Sequence, residues 1–168
     1  MPIDFAFRTI DGKNLDEATR FVASQNLGYP NYESWVEKMR SELALGIKHG
    51  IAAYSNRVVV GDVVFQEHKQ ISGLLEIKNI RVDKRLRGKN FATFLLKQAE
   101  LEMNSGAVIV DARAGQKDVI GLFDSQGYIH VANISLYDSH NQDVVMVKFR
   151  SGKNDKIISS IESNLNYN

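Results

Sequence analysis

The sequence predicts a mixed α/β domain, and three observations carry that expectation. Apolar residues recur with period two in some segments and with helical spacing in others, in the order β-α-α-β-β-β-α-β-α-β-β. The short run Ala107-Val108-Ile109-Val110 is wholly apolar between Gly106 and Asp111, as a buried strand is. Two strand-like runs end the patterned region, joined by Asp138-Ser139-His140-Asn141, a four-residue hairpin loop. A length of 168 residues fits one domain, placed at 1–150. Residues 151–168 form a polar tail whose only helical signal is Ile157, Ile158 and Ile161.

Phe5, Phe7 and Thr9 alternate with other residues and predict a strand over 4–10. Asn14 suits a helix start, with Asp16 and Glu17 in the first turn of a helix reaching Gln25. Gly28-Tyr29-Pro30-Asn31 interrupts the chain before a second helix over 31–46, whose stripe is Tyr32, Trp35, Met39 and Leu43. Residues 50–68 read as two strands turning at Ser55-Asn56-Arg57, and a further strand covers 73–83. A long helix over 89–104 stops at Asn104-Ser105-Gly106, and a short one over 116–125 is closed by Gly127. The final strands cover 128–138 and 142–150.

Composition excludes several classes of function. The chain has no cysteine, so it holds no disulfide framework, zinc ribbon or cysteine nucleophile. No apolar run approaches about 18 residues, so no membrane helix is expected. The opening MPIDFAFRTIDGKN lacks a basic region followed by an apolar stretch, so the expected location is cytoplasmic. The formal charge of +1 gives no general reason for a nucleic-acid or membrane partner. His49, His68, His130 and His140 match no metal-ligand spacing, and no G-x-S-x-G elbow occurs.

The distribution of charge is more informative than its sum. Between Lys78 and Lys97 stand Lys78, Arg81, Lys84, Arg85, Arg87, Lys89 and Lys97 against one anion, Asp83. The strand entering this segment changes phase: Leu75 and Ile77 share one face, Ile80 and Val82 the other. Such a slip predicts a bulge near Lys78-Asn79, which leaves backbone groups in need of partners. The strand then leads through Arg87-Gly88-Lys89-Asn90 into a helix. Glycine and asparagine tolerate positive φ, so the loop can turn successive N–H groups to one point. The helix start adds unpaired N–H groups and partial positive charge. Arg87 and Lys89 complete a pyrophosphate cradle, which small Ala92 would let a ligand approach closely. Neither the Walker nor the dinucleotide glycine pattern is present.

A bulged strand followed by Arg87-Gly88-Lys89-Asn90-Phe91-Ala92 and a long apolar helix resembles motif A of the GNAT N-acetyltransferases, Q/R-x-x-G-x-G/A. Leu122-Phe123-Asp124-Ser125-Gln126-Gly127-Tyr128 is similar to that family's LYxxxGF, and Val58-Val59-Val60-Gly61-Asp62-Val63 to its ivG strand. The resemblance runs from about residue 4 to 150. It implies a mainly antiparallel sheet with a bulged, splayed fourth strand and about four flanking helices. It implies acetyl-CoA as cofactor. Ile80, Arg81 and Val82 would pair with the pantetheine arm. Arg87, Gly88, Lys89, Asn90, Phe91, Ala92 and Thr93 would hold the pyrophosphate. Gln116 and Phe123 also fall at cofactor-contacting positions. Two departures stand out. Asn90 replaces a glycine, and Phe123 replaces the tyrosine that often protonates the departing thiolate. Ser125, Tyr128 and Tyr137 are its substitutes, each with a competing role in capping, packing or the sheet surface.

Transfer of an acetyl group to an amine needs a neutral nucleophile. A lysine-type ammonium is neutral in well under about 0.1% of molecules at pH 7. Glu76 lies on the strand ahead of the slip and, by the resemblance, matches the position of the general-base glutamate in the histone-acetyltransferase branch of the family. The expected activity is direct acetyl transfer from acetyl-CoA to a small-molecule or protein amine in a ternary complex. Tyr29, Pro30 and Tyr32 would border the acceptor, and the sequence leaves a homodimer open. The alternatives are an acyl-CoA-binding sensor or partner subunit, and a toxin-like aminoacyl-tRNA acetyltransferase. The net acidity of residues 1–47 argues against RNA there. A Rossmann-like domain is the runner-up fold, weakened by the missing glycine fingerprint and the terminal hairpin.

Overall fold

In the computed structural model these periodicities become seven strands and five α-helices among the described residues. Residues 4–102, 104–150 and 154–165 are described, so the first three residues, Met103 and both ends of the 151–168 tail lie outside the description. The elements are β1 (Phe5–Thr9), α1 (Leu15–Ser24), α2 (Tyr32–Ala44), β2 (His49–Ser55), β3 (Val58–Glu67) and β4 (Leu74–Val82). They continue with α3 (Phe91–Glu102), β5 (Ala107–Arg113), α4 (Lys117–Ser125), β6 (Ile129–Ile134), β7 (Asp143–Phe149) and α5 (Asp155–Leu165). The strand order is β1-β2-β3-β4-β5-β7-β6. The pairs β1/β2, β2/β3, β5/β7 and β6/β7 are antiparallel, and β4/β5 is parallel. A parallel pair needs a crossover, which α3 supplies.

The chain divides into two units. One is Met1–Gln66 with Lys78–Glu102, the other Glu67–Ile77 with Met103–Asn168, so β4 passes from the second to the first between Ile77 and Lys78. In the first unit, β1, β2 and β3 form a meander. Its tight turn places Asn56 and Arg57 at φ 49° and 68°, the left-handed pair that fits the twist of a two-residue hairpin. On one side of it Leu15 and Ala18 of α1 pack with Ala52, Tyr54 and Val59. Val36 and Met39 of α2 pack with Val22 and Val64, and Trp35 and Leu43 reach the same cluster half-buried. Gly61 faces α3. A Cβ there would meet the Arg81 carbonyl oxygen at 3.0 Å and Leu95 Cδ1 at 3.1 Å, so only glycine lets β4 and α3 come this close.

In the second unit the ladder between β4 and β5 runs over Leu74↔Ala107, Leu75↔Val108 and Glu76↔Ile109 and ends there. β5 continues to Arg113, past the apolar run that announced it, because β7 pairs along its whole length. The connection between β6 and β7 spans Ser135–Gln142, twice the four residues expected, and Asp138 organises it by accepting from the N–H groups of His140 and Asn141 at 2.9 and 2.8 Å. The segment after β7 forms α5. Ile161 is fully buried with Ile71, Leu74, Ala107 and Val147, and Ile157 and Leu165 pack around it. The helical spacing of three apolar residues in a polar stretch was thus enough to dock a helix, bringing the number of α-helices to five rather than about four.

Burial along β4 keeps one phase through Leu75, Ile77 and Asn79 and then shifts to Val82. The change of burial phase falls at Ile80–Arg81, just after the Lys78-Asn79 position read from the sequence. Asn79 occupies a buried site that the apolar pattern could not register. Replacing Ile161 by alanine should lower the unfolding free energy by about 2–5 kcal/mol in a urea titration, the cost of a cavity at a closed core position. A loss below the error of the fit would show α5 to be dispensable.

Candidate active site

The first unit carries the basic loop. β4 ends at Val82, and the Asp83 N–H donates to the Val60 carbonyl at 2.8 Å, holding the strand end to β3. Asp83 then caps a 3-10 turn at Lys84–Leu86, its Oδ1 accepting from the Arg85 N–H at 2.9 Å. The Arg85 guanidinium grips the same carboxylate in two bonds of 3.0 and 2.8 Å. Those bonds hold the Asp83 pKa down at about 2. Arg85 is therefore spent on its own turn, while Arg87, Gly88, Lys89 and Asn90 are exposed. Arg87 Nε reaches back to the Val82 carbonyl at 3.4 Å.

Gly88 and Asn90 both have positive φ, 74° and 64°. Alternating left-handed residues fold a short segment into a concave turn whose amides converge on an anion. A Cβ at Gly88 would meet nothing within 4 Å, so the hollow above it is open. α3 begins at once, Phe94 N–H donating to the Asn90 carbonyl at 3.0 Å. The N–H groups of Phe91, Ala92 and Thr93 precede the first intrahelical bond and remain available to a ligand. The departure from glycine at position 90 leaves the loop geometry intact, because asparagine enters the left-handed region at small cost. A diphosphate fits this loop by backbone conformation, exposure and charge together.

Behind β4 lies a buried polar cluster that the sequence reading did not single out. Asp62 of β3 is fully buried, and Asn79 Nδ2 donates to its Oδ2. Asp62 Oδ1, Asn79 Oδ1 and Arg81 Nε are buried without a partner among the described residues. Desolvation raises the Asp62 pKa to about 7, and Arg81, then Asn79, oppose the rise. Arg81 Nη1 also donates to the Ile80 carbonyl at 3.0 Å. The Arg81 side chain is thus committed inward. Tyr32 joins from α2, donating its hydroxyl to the Val22 carbonyl at 2.5 Å and stacking on Trp35. Burial raises its pKa, with Arg81 opposing. An aspartate inside the apolar run Val58–Phe65 was the available signal for this cluster.

The second unit carries the other candidates. Glu76 is half-buried in β4 at the last pair of the β4/β5 ladder. Gln116 is the residue before α4, half-buried, its N–H donating to the Arg113 carbonyl at 2.9 Å. Phe123 is 2% exposed and packs on Tyr128 with ring centroids 5.5 Å apart, so its ring belongs to the core. The three substitute acids are engaged elsewhere. Ser125 donates to the Leu122 carbonyl at 2.7 Å, Tyr128 lies buried under Lys148, and Tyr137 donates to Asp111 at 2.8 Å. In the loop between α1 and α2, Tyr29 is half-buried and Pro30 exposed. The described residues contain no cluster of His, Asp and Glu able to hold a metal ion and no helix long and apolar enough to cross a membrane. His68 serves its own turn, Nδ1 accepting from the N–H groups of Gln70 and Ile71.

This strand order, with a parallel β4/β5 pair that parts after three residues and a left-handed loop leading into α3, is the fold of the GNAT acetyltransferases. Several solved structures share this fold. NAA60 of Arabidopsis thaliana, determined in complex with acetyl-CoA, superposes with a TM-score of 0.72 at 15% identity over 89% of this chain and 100% of its own. The ribosomal-protein-S18-alanine N-acetyltransferase of Escherichia coli gives 0.69 at 14% identity over 90% and 97%. An acetyltransferase of the GNAT family from Streptococcus pneumoniae gives 0.66 at 14% identity over 87% and 99%. No family model matches the sequence, and no curated protein matches it.

The buried acid makes stability depend on pH. The folded pKa of Asp62 lies above the ordinary value, so the folded state holds its proton where the unfolded state has released it. Wild-type stability should therefore fall, through this group, as pH rises from about 4 to about 7. Asp62→Asn should lack that slope, so its unfolding free energy relative to wild type should climb across the same window and level off above it. Parallel pH profiles for the two proteins would contradict the assignment.

Proposed function

We propose that this chain is an acetyl-CoA-dependent N-acetyltransferase acting on an amine. The observation that carries the reading is the exposed loop Arg87–Asn90, with positive φ at Gly88 and Asn90 and α3 opening directly behind it, in a GNAT fold. The loop amides and the first N–H groups of α3 hold the pyrophosphate, with Lys89 and Arg87 supplying charge. The backbone of Ile80, Arg81 and Val82, at the slip in β4, holds the pantetheine arm as an added strand would. Gln116 assists through its side chain. Bound acetyl-CoA supplies an acetyl thioester that an amine can attack directly.

The rest of the chemistry falls to the protein. An amine reaches neutral pH as its ammonium, and a carboxylate must take the proton. Glu76 is the carboxylate in this reading, accepting at Oε directly or through one water. No cysteine exists to carry the acyl group, which accords with a single direct transfer. With Phe123 closed into the core, the thiolate leaves without a phenol at that position. A thiol pKa near 8.5 makes such a leaving group tolerable at neutral pH. Tyr29 and Pro30, within the α1–α2 connection, border the acceptor. The acceptor class is a small-molecule, peptide or protein amine, and the protein works in the cytoplasm.

Burial of Phe123, together with the commitments of Ser125, Tyr128 and Tyr137, favours one second reading, an acyl-CoA-binding module with little turnover. Calorimetry and an amine panel separate the two. Wild type should bind acetyl-CoA. Gly88→Asn, which keeps the left-handed turn, should bind too, and Gly88→Glu should lose binding. Equal affinity of Gly88→Glu and wild type would remove the cradle. On the panel, Glu76→Gln should lower kcat by about 10²–10⁴-fold with acetyl-CoA affinity unchanged. Tight binding without turnover of any amine would establish the module instead.

A further inference from the structure

β1 is an outermost strand of the sheet, and its hydrogen bonds to β2 fix which of its groups face outward. The Asp4 carbonyl accepts from the Asn56 N–H at 2.9 Å, and the Ile10 N–H donates to the Gly50 carbonyl at 2.8 Å. Backbone direction alternates along a strand, so Asp4, Ala6, Arg8 and Ile10 bond to β2. Phe5, Phe7 and Thr9 therefore turn their N–H and C=O groups to the open edge.

The side chains at this edge are equally unusual. Edge strands are commonly protected by charge, proline or a bulge. Here Phe5 and Phe7 stand 44% and 39% exposed. They continue into an aromatic group with Phe91 and Phe94 of α3, ring centroids 5.0 Å apart for Phe5–Phe91 and 6.2 Å for Phe7–Phe94. Phe94 is itself 55% exposed, and Leu101, two helical turns on, is more so. The aromatic patch thus runs from the strand edge onto the first turn of α3.

We propose that β1 is the joint of a two-fold dimer, pairing antiparallel with β1 of a second copy about Ala6. The sequence Asp4-Phe5-Ala6-Phe7-Arg8 is its own complement when reversed. Centred on Ala6, Phe5 of one copy lies opposite Phe7 of the other, and Asp4 lies opposite Arg8. The outward N–H and C=O groups of Phe5 and Phe7 then bond across the joint. Arg8, whose guanidinium lies over the Tyr54 ring of β2 at 5.1 Å in the single chain, turns to Asp4 of the other copy on one face, and four phenylalanines meet on the other face, beside Phe94 of each copy. Moving the axis to Phe7 sets Asp4 against Ile10 and Arg8 against Ala6, so charge selects the first register. A strand from another protein would have to reproduce this order of charge and aromatic rings, which the second copy already contains.

The absence of cysteine allows a direct test, because an introduced cysteine has no native competitor. Ala6 opposite Ala6 is a pair not joined by ladder bonds, with Cα atoms about 4.5 Å apart, inside the range a disulfide spans. The two Thr9 residues would lie about 20 Å apart along the joint and could not be bridged. Mild oxidation should convert Ala6→Cys to a covalent dimer and leave Thr9→Cys a monomer. By sedimentation, wild type should dimerise, Arg8→Asp should weaken association about tenfold, and Asp4→Arg with Arg8→Asp should restore it. Thermal melting checks that each variant is folded. Cross-linking of Ala6→Cys no faster than Thr9→Cys overturns the proposal. So does a wild type that stays monomeric at the same concentration, which leaves the edge to another protein, or a dimer indifferent to Arg8→Asp.

Discussion

The pairing of β4 with β5 lasts for three residues, and much of the candidate chemistry follows from its ending. Up to Glu76 the strand is held by a parallel ladder. Beyond it, β4 carries the change of burial phase at Ile80–Arg81, the backbone proposed for the pantetheine arm, and the route into the basic loop. A strand fully paired on both sides would have no groups to offer a ligand, since buried amides and carbonyls rarely remain unbonded. The end of one ladder is the feature on which the proposed main-chain binding rests.

Two features hold β4 to this course in its own unit. Gly61 lets the Arg81 carbonyl and Leu95 come closer than any side chain would allow. Asp62, Asn79 and Arg81 bind the strand from the other side with polar groups taken out of water. That arrangement is costly, and burial answers the cost by moving the acid toward its neutral form. The cluster places an inward anchor where the strand changes phase. The loop that follows draws on different physics. One cation is consumed by Asp83 to shape the turn, and the remaining charge and two left-handed residues stay outside.

The fold was legible because each element announced itself by period, and the order of periods matched one architecture. The loop was legible because glycine, asparagine and cations carry their meaning locally. What stayed hidden depended on partners distant in sequence. β5 extends because β7 lies beside it, and α5 docks because Ile161 finds Leu74 and Val147. Asp62 looked like part of a strand motif because an apolar pattern gives no measure of depth. Phe123 was read by its family position, and its packing against Tyr128 could be known only from the structure.

The placement of β1 also has a consequence in time. The strand is synthesised before its partner β2, which lies more than forty residues later. At synthesis rates of about 5–20 residues per second, Phe5 and Phe7 wait for seconds before any sheet exists to receive them. Helices α1 and α2, whose contacts are local, can take shape within that interval. β1 therefore spends that interval with Phe5 and Phe7 unpartnered, and early helix formation limits how far the strand can wander before the meander closes.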